Sequence, residues 1–324
     1  MKIQPVLSLL ALGVALSCAP GGPGPGSPDR AAAPEEPPGL ENGSFSAELN
    51  GFNIHYEVHG RGPVLMTLPN SWGLNLAGLR ALYRPLEEHL TMVYFDPRGM
   101  GGSDPVREDA DMGTAAVRAD FDALRRHLGL EKVHAIGWSN GAMNLILHAA
   151  EHGETLTSAI FLHGVASFTE EDIPGFVEQH PDYVQAYTGF QQEMQAWEAS
   201  DAEKTARLRE FNFSESFPRL FADPEAAREL LPELWADARF SWAHARYAES
   251  EWPTFDFRDR LAAIATRSLV LAGAHDMLKP EVVRELHDGL PDSRFRVFEN
   301  SGHFAPVEEP EAFVAAVLEF LGSA

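Results

Sequence analysis

The chain has 324 residues, enough for one large domain or two modest ones. Apolar residues make up 44%, ordinary for a globular protein with a real core. The formal net charge of -23 argues against nucleic acid and anionic membrane surfaces, which need clustered Lys and Arg. Solubility is the plain account of that charge, and attraction of a cationic substrate is the sharper one.

Residues 1–18 read as a targeting segment. Lys2 supplies a short basic start, and Val6 to Leu16 is an apolar run too short to span a membrane as a stable helix. The stretch ends Val14-Ala15-Leu16-Ser17-Cys18 and holds the chain's one cysteine, so no intrachain disulfide can form. These five residues resemble the lipobox of bacterial lipoproteins, which implies cleavage before Cys18 and lipid on its new N-terminus. The alternative is a plain secretory signal with Cys18 incidental. Either reading sends the protein out of the cytoplasm, and the first makes it a lipid-anchored protein of the cell envelope. Ala19 to Leu40 holds seven prolines and five glycines, too little apolar surface to order itself, and reads as a tether.

The folded domain is expected over 41–324. Phe45–Leu49 and Phe52–Val58 are strand-like, and Asn50-Gly51 between them is a hairpin signal. Pro63–Leu68 is a buried-strand run, Ala77–His89 has helical spacing, and Thr91–Phe95 is a strand closed by Asp96-Pro97-Arg98-Gly99-Met100-Gly101-Gly102-Ser103. A helix is expected over Thr114–Leu128, a strand over Lys132–Gly137, a helix over Ala142–Ala150 and a strand over Leu156–Leu162. The alternation then stops. Residues 168–258 show helical stretches punctuated by prolines and no convincing buried strand. It resumes with Thr266–Ala272 (strand), Pro280–Leu290 (helix), Arg294–Phe298 (strand) and Glu309–Leu321 (helix). Such alternation predicts an α/β fold: a mostly parallel sheet flanked by helices, with a helical insertion late in the sheet.

The chemistry centres on Gly137-Trp138-Ser139-Asn140-Gly141. G-x-S-x-G alone arises by chance about once in ten such chains. Here it falls between a strand end and a helix start, where a tight turn needs small flanking residues and a serine projects at the carboxyl edge of the sheet. An elbow serine is a weak nucleophile until a histidine, held by a carboxylate, takes its proton. Gly273-Ala274-His275-Asp276 and Ser301-Gly302-His303-Phe304 each follow a strand and supply both partners at that edge.

With GWSNG, GAHD, GHF and DPRGMGGSD in this order, the chain resembles the α/β-hydrolase family from about Gly43 to the C-terminus. The resemblance implies Ser139 as nucleophile, Asp276 as orienting acid and His303 as base, with His275 structural. It also implies a mainly structural Asp96-Pro97-Arg98-Gly99 loop. A serine at the elbow, where some members carry aspartate, favours acyl transfer. The expected function is cleavage of an ester or related acyl bond through an acyl-enzyme. The family's His-Gly after the third strand is replaced by Leu68-Pro69-Asn70-Ser71-Trp72-Gly73. Asn140 can offer one backbone N–H to an oxyanion, and Asn70 or Ser71 the second, by backbone or by the Asn70 amide.

Residues 168–258 hold 17 of the chain's 32 aromatics, Trp197, Trp235, Trp242 and Trp252 among them, and carry 19 acidic against 8 basic residues. The plain account is an amphipathic lid with aromatics inward. The functional account is a ceiling for an apolar acyl group, with Trp72, Trp138 and Trp197 as contacts and Glu198 aimed at a substrate amine. DPRGMGGSD and Gln195-Ala196-Trp197-Glu198 also look like proline iminopeptidases, whose lid acids hold the amine. Their His-Gly-Gly-Pro-Gly segment is absent, which puts aminopeptidase second. A non-catalytic or slowly reacting ligand-binding homologue is the alternative of another class. No zinc spacing and no nucleotide-binding glycine pattern is present, so neither metal nor cofactor is expected, and the partner is a small acyl substrate.

Overall fold

A computed structural model describes residues 40–168, 173–251 and 255–322. The signal-like segment with Cys18, the tether up to residue 39, and Trp252 lie outside the described residues. Among those described, no helix is long and apolar enough to cross a membrane.

Eight strands form one sheet: β1 (Gly43–Leu49), β2 (Phe52–Gly60), β3 (Val64–Thr67), β4 (Thr91–Phe95), β5 (Val133–Trp138), β6 (Leu156–Leu162), β7 (Ser268–Gly273) and β8 (Ser293–Phe298). Their spatial order is β1-β2-β4-β3-β5-β6-β7-β8. β1 pairs antiparallel with β2, and β2 with β4; every later pairing is parallel. The β1–β2 turn uses Asn50 and Gly51 at φ 51 and 79, the left-handed pair that a two-residue hairpin demands.

β3, β4 and β7 are buried at every position, because helices cover both faces of the sheet. Alternate residues feed two cores. Val93, Phe95 and Ala135 join one, and Met92, Tyr94 and Ile136 join the other. β8 instead alternates, with Arg294 and Arg296 exposed, as suits the last strand of the sheet.

The helices are α1 (Leu76–Tyr83), α2 (Thr114–His127), α3 (Asn140–His152), α4 (Ile173–Gln179), α5 (Pro181–Ala196), α6 (Asp201–Phe211), α7 (Pro224–Leu234), α8 (Trp242–Glu251), α9 (Pro280–Gly289), α10 (Ala305–Glu308) and α11 (Pro310–Leu321). The helix expected over Ala77–His89 stops at Tyr83 and continues as a 3-10 turn over Arg84–Glu88. Pro85 lacks an N–H and its ring crowds the preceding turn, so the α-helical ladder cannot run through it. The helix expected from Ala142 starts at Asn140, directly after the serine.

α4 to α8 form a helical excursion between β6 and β7. Its base is closed by Phe168 N–H donating to the Phe255 carbonyl and Phe257 N–H to that of Ala166, both at 2.9 Å. Its buried aromatics, including Phe190, Phe211, Phe217, Phe221, Trp235 and Trp242, share a core with Trp138 and Phe304 of the sheet domain. Trp235 is fully buried and its Nε1 donates to the Gly78 carbonyl at 3.1 Å, so the lid is packed onto α1.

Candidate active site

After β3 the chain turns to α1 and β4 on one side of the sheet, and after α2 it returns to β5 on the other. The carboxyl ends of β3 and β5 therefore sit side by side where the strand order reverses, the usual ligand position in open α/β sheets. Ser139 follows β5 at that point, and the Asn70 segment follows β3.

Ser139 is half-buried and has φ 54 and ψ -121, a conformation that L side chains rarely adopt. The flanking glycines allow it by close approach. A Cβ on Gly137 would lie 2.3 Å from the Gly141 carbonyl oxygen, and one on Gly141 would lie 2.6 Å from that of Leu68. The turn is held by Ser139 N–H donating to the Leu162 carbonyl at 2.8 Å.

Three asparagines fasten the β3 loop to the elbow. Asn70 Nδ2 donates to the Trp138 carbonyl at 3.0 Å, and Asn144 Nδ2 donates to that of Pro69 at 3.0 Å. Asn140 Oδ1 accepts from Ser71 N–H at 2.7 Å and from Ser71 Oγ at 2.9 Å. Two of the three expected sources of a second oxyanion donor are therefore already engaged, the Asn70 amide and the Ser71 N–H. The Asn70 main chain runs past α3, its nitrogen 3.5 Å from where a Gly141 Cβ would stand. Asn140 is the first residue of α3, so its own N–H has no partner within the helix.

Asp276 and His303 meet after β7 and β8. His303 Nδ1 donates to Asp276 Oδ2 at 2.7 Å, and Asp276 Oδ1 accepts from Leu278 N–H at 2.9 Å. The Asp276 carboxyl is buried. Burial alone would push its pKa up, but the charge of His303, the hydrogen bond from its ring and the close approach of the His163 ring hold it well below the carboxylate range. Asp276 is thus ionised, and His303 Nε2 is the ring nitrogen not bonded to it. The His303 backbone is pinned from two sides: its N–H donates to Leu220 of the lid at 2.7 Å, and its carbonyl accepts from Trp138 Nε1 at 2.9 Å. Glu308 adds a clasp, accepting from Ala222 N–H of the lid at 2.7 Å and from Gly302 N–H at 2.9 Å.

His163 was not among the expected site residues. It follows β6, is fully buried, and places Nδ1 2.8 Å from Asp276 Oδ2. Its only sequence signal was a lone histidine at a strand end. His163, Asp276 and His303 bring donor atoms within 4.8 Å of one another, a grouping that could suggest a metal. The 2.7 and 2.8 Å separations are shorter than the ~3.3 Å between two ligands of a tetrahedral ion with 2.0–2.1 Å bonds. The His303 contact is a hydrogen bond and the His163 contact a close polar approach.

The expected aromatic and acidic contacts divide. Trp72 is half-buried between sheet and lid, stacked on Phe240 at 6.2 Å and edge-on to Trp138 at 6.3 Å. Trp138, expected as a substrate contact, is buried, and its N–H is spent on the His303 carbonyl. Trp197 and Glu198 lie exposed just past the end of α5. His275 is exposed, and its N–H donates to the Ser301 carbonyl at 3.0 Å, a loop contact. In the Asp96-to-Ser103 loop, Asp96 accepts from Leu76 and Gly102 N–H and from His55, while Arg98 clamps Asp120 through two hydrogen bonds. That pattern is structural.

A strand–serine–helix elbow and a histidine–carboxylate pair at one edge of a mostly parallel eight-stranded sheet define an α/β hydrolase architecture. The alpha/beta hydrolase fold family model matches residues 65–310, and the chain belongs to that family. A proline iminopeptidase of Clostridioides difficile (strain 630) is 24% identical over 292 residues, 85% of this chain and 96% of that protein. The 2-hydroxy-6-oxononadienedioate/2-hydroxy-6-oxononatrienedioate hydrolase 2 of Pseudomonas putida is 25% identical over 287 residues, 83% of this chain and 91% of that one. Among solved structures, an alpha/beta fold family hydrolase from Bacillus anthracis str. Sterne superposes with a TM-score of 0.70 at 21% identity, covering 86% of this chain and 99% of that one. These relatives are hydrolases, and this chain is an enzyme of their kind.

Proposed function

We propose that the protein is a serine hydrolase that cleaves an ester or related acyl bond. Ser139 Oγ attacks the acyl carbon while His303 takes its proton, and Asp276 holds the resulting imidazolium. The oxyanion is met by the backbone N–H groups of Asn140 and Asn70. The leaving group departs with the proton from His303, and water, activated by the same ring, then releases the acid. The observation that carries this reading is the strained Ser139 turn on the sheet edge that also holds the His303–Asp276 pair.

Aminopeptidase activity is the second reading, favoured by the likeness to a proline iminopeptidase. The exposure of Glu198 weighs against it, and the half-buried Trp72 beside buried Phe217 and Phe240 favours apolar acyl recognition. A desolvated carboxylate–ammonium contact contributes about 1.5–3 kcal/mol, or about 10- to 150-fold, whereas apolar contact gives about 0.8 kcal/mol per methylene. A neutral p-nitrophenyl ester of a medium acyl chain is expected to be hydrolysed faster than the matching ester with a free α-amine. If the amine-bearing ester wins by tenfold or more, and loses that advantage in Glu198→Gln, the aminopeptidase reading replaces this one. If neither turns over and Ser139 resists acylation, a ligand-binding role replaces both.

We further propose export and lipid attachment at Cys18, on the strength of the lipobox-like ending and the Pro/Gly-rich stretch after it. Expressed in a bacterium, the protein is expected in the membrane fraction, and Cys18→Ser is expected to abolish lipidation. A mature N-terminus elsewhere with no lipid on the wild type would contradict this.

A further inference from the structure

Two residues beside the elbow share an unusual backbone. Ser139 and His163 follow neighbouring parallel strands, and both are non-glycine residues at positive φ, 54 and 53. Strain of this kind at a buried histidine persists only where the surroundings impose it, and it gathers at working sites. The His163 backbone is anchored by its N–H donating to the Leu271 carbonyl at 2.9 Å. Its ring centroid lies 4.8 Å from that of His303. Both imidazoles approach one oxygen, Asp276 Oδ2, at 2.7 and 2.8 Å. The His303 contact is a directed hydrogen bond. The His163 contact is a close approach, and among the described residues neither ring nitrogen of His163 has a hydrogen-bond partner.

We propose that His163 is a positioning residue that shares the Asp276 carboxylate with His303 and so limits how strongly that carboxylate grips the catalytic ring. The inference rests on the triad reading above. A carboxylate oxygen has a finite capacity to accept. The polar edge of the neutral His163 ring, 2.8 Å from Oδ2, stabilises the carboxylate by its dipole, so Asp276 holds the His303 proton less strongly than it would alone. Burial keeps His163 neutral at ordinary pH against the pull of Asp276, so it acts as a dipole and not as a competing cation. His163 comes from the end of β6, Asp276 from the loop after β7, and His303 and Glu308 from the segment after β8. From the lid, His180 places Nε2 3.1 Å from the Met277 carbonyl.

The test reads the His303 ring directly by nitrogen-15 NMR in the full chain, with and without His163. His163→Leu removes the donor and is expected to move the His303 titration midpoint up by about 0.5–1 pH unit, a 3- to 10-fold change in ionisation. The His303 Nδ1 proton should move downfield as its bond to Asp276 tightens. His163→Asn tolerates positive φ and places an amide N–H near the position of Nδ1, so it is expected to restore the wild-type midpoint. If leucine is not tolerated at this φ, His163→Gly removes the ring without strain and is expected to shift the midpoint in the same direction. An unchanged midpoint in the folded donor-free variant overturns the proposal, as does an equal shift in His163→Asn. A purely structural role would lower stability and kcat at every pH and leave the midpoint in place. Failure of the triad reading shows separately, as unimpaired turnover in Ser139→Ala.

Discussion

Ser139→Ala is expected to lower kcat by at least about 10⁴-fold while leaving the fold intact. The side chain removed is one oxygen, and no described backbone contact of the elbow depends on it. Ser139 N–H still meets Leu162, and Met143 N–H still meets the Ser139 carbonyl at 3.1 Å. What remains is binding and the oxyanion donors, which cannot form an acyl-enzyme. The strain at φ 54 gives the experiment a second reading. Ser139→Gly relaxes it and should be more stable than the wild type by about 1–3 kcal/mol, yet equally inactive. Denaturant midpoints and kcat on one ester, measured together, check both. A glycine variant that is inactive and less stable would show that Ser139 is held by packing and not under strain.

Asp276→Asn is expected to cost about 10³- to 10⁴-fold in kcat with little change in substrate binding. The asparagine can keep its carbonyl oxygen on Leu278 N–H. It then presents an amide to both imidazoles in place of an acceptor. His303 Nδ1 must accept, its proton moves to Nε2, and that nitrogen can no longer take the serine proton. Burial makes the loss severe, since no water replaces the missing charge at a site only 4% exposed. A fall of less than about tenfold would remove Asp276 from the mechanism.

Much of this site was legible because each part is local in sequence. Gly137 and Gly141 flank the serine within five residues, and the Asp276 and His303 loops each follow a strand readable from its own apolar run. The strand–helix alternation likewise gave the sheet, because parallel strands buried on both faces are continuous apolar runs. What stayed hidden depends on long-range contacts. His163 is one histidine in Phe161-Leu162-His163-Gly164, and only the pairing of β6 with β7 brings it to Asp276. The fastening of Asn70 to Trp138 and of Asn140 to Ser71 spans about seventy residues. The exposure of Trp197 and Glu198 was hidden for a related reason. Composition shows that a lid is amphipathic but not which residues end up outside it. The stop of α1 at Tyr83 was readable in principle, since Pro85 was in view.

The central claim is that Ser139 is the acylated nucleophile. Peptide mapping by mass spectrometry after a fluorophosphonate probe, with the wild type and Ser139→Ala treated alike, tests it most directly. A single adduct on Ser139, lost in the variant together with ester turnover, is the predicted result. An adduct of equal yield in both proteins, or turnover that survives the substitution, would contradict the account.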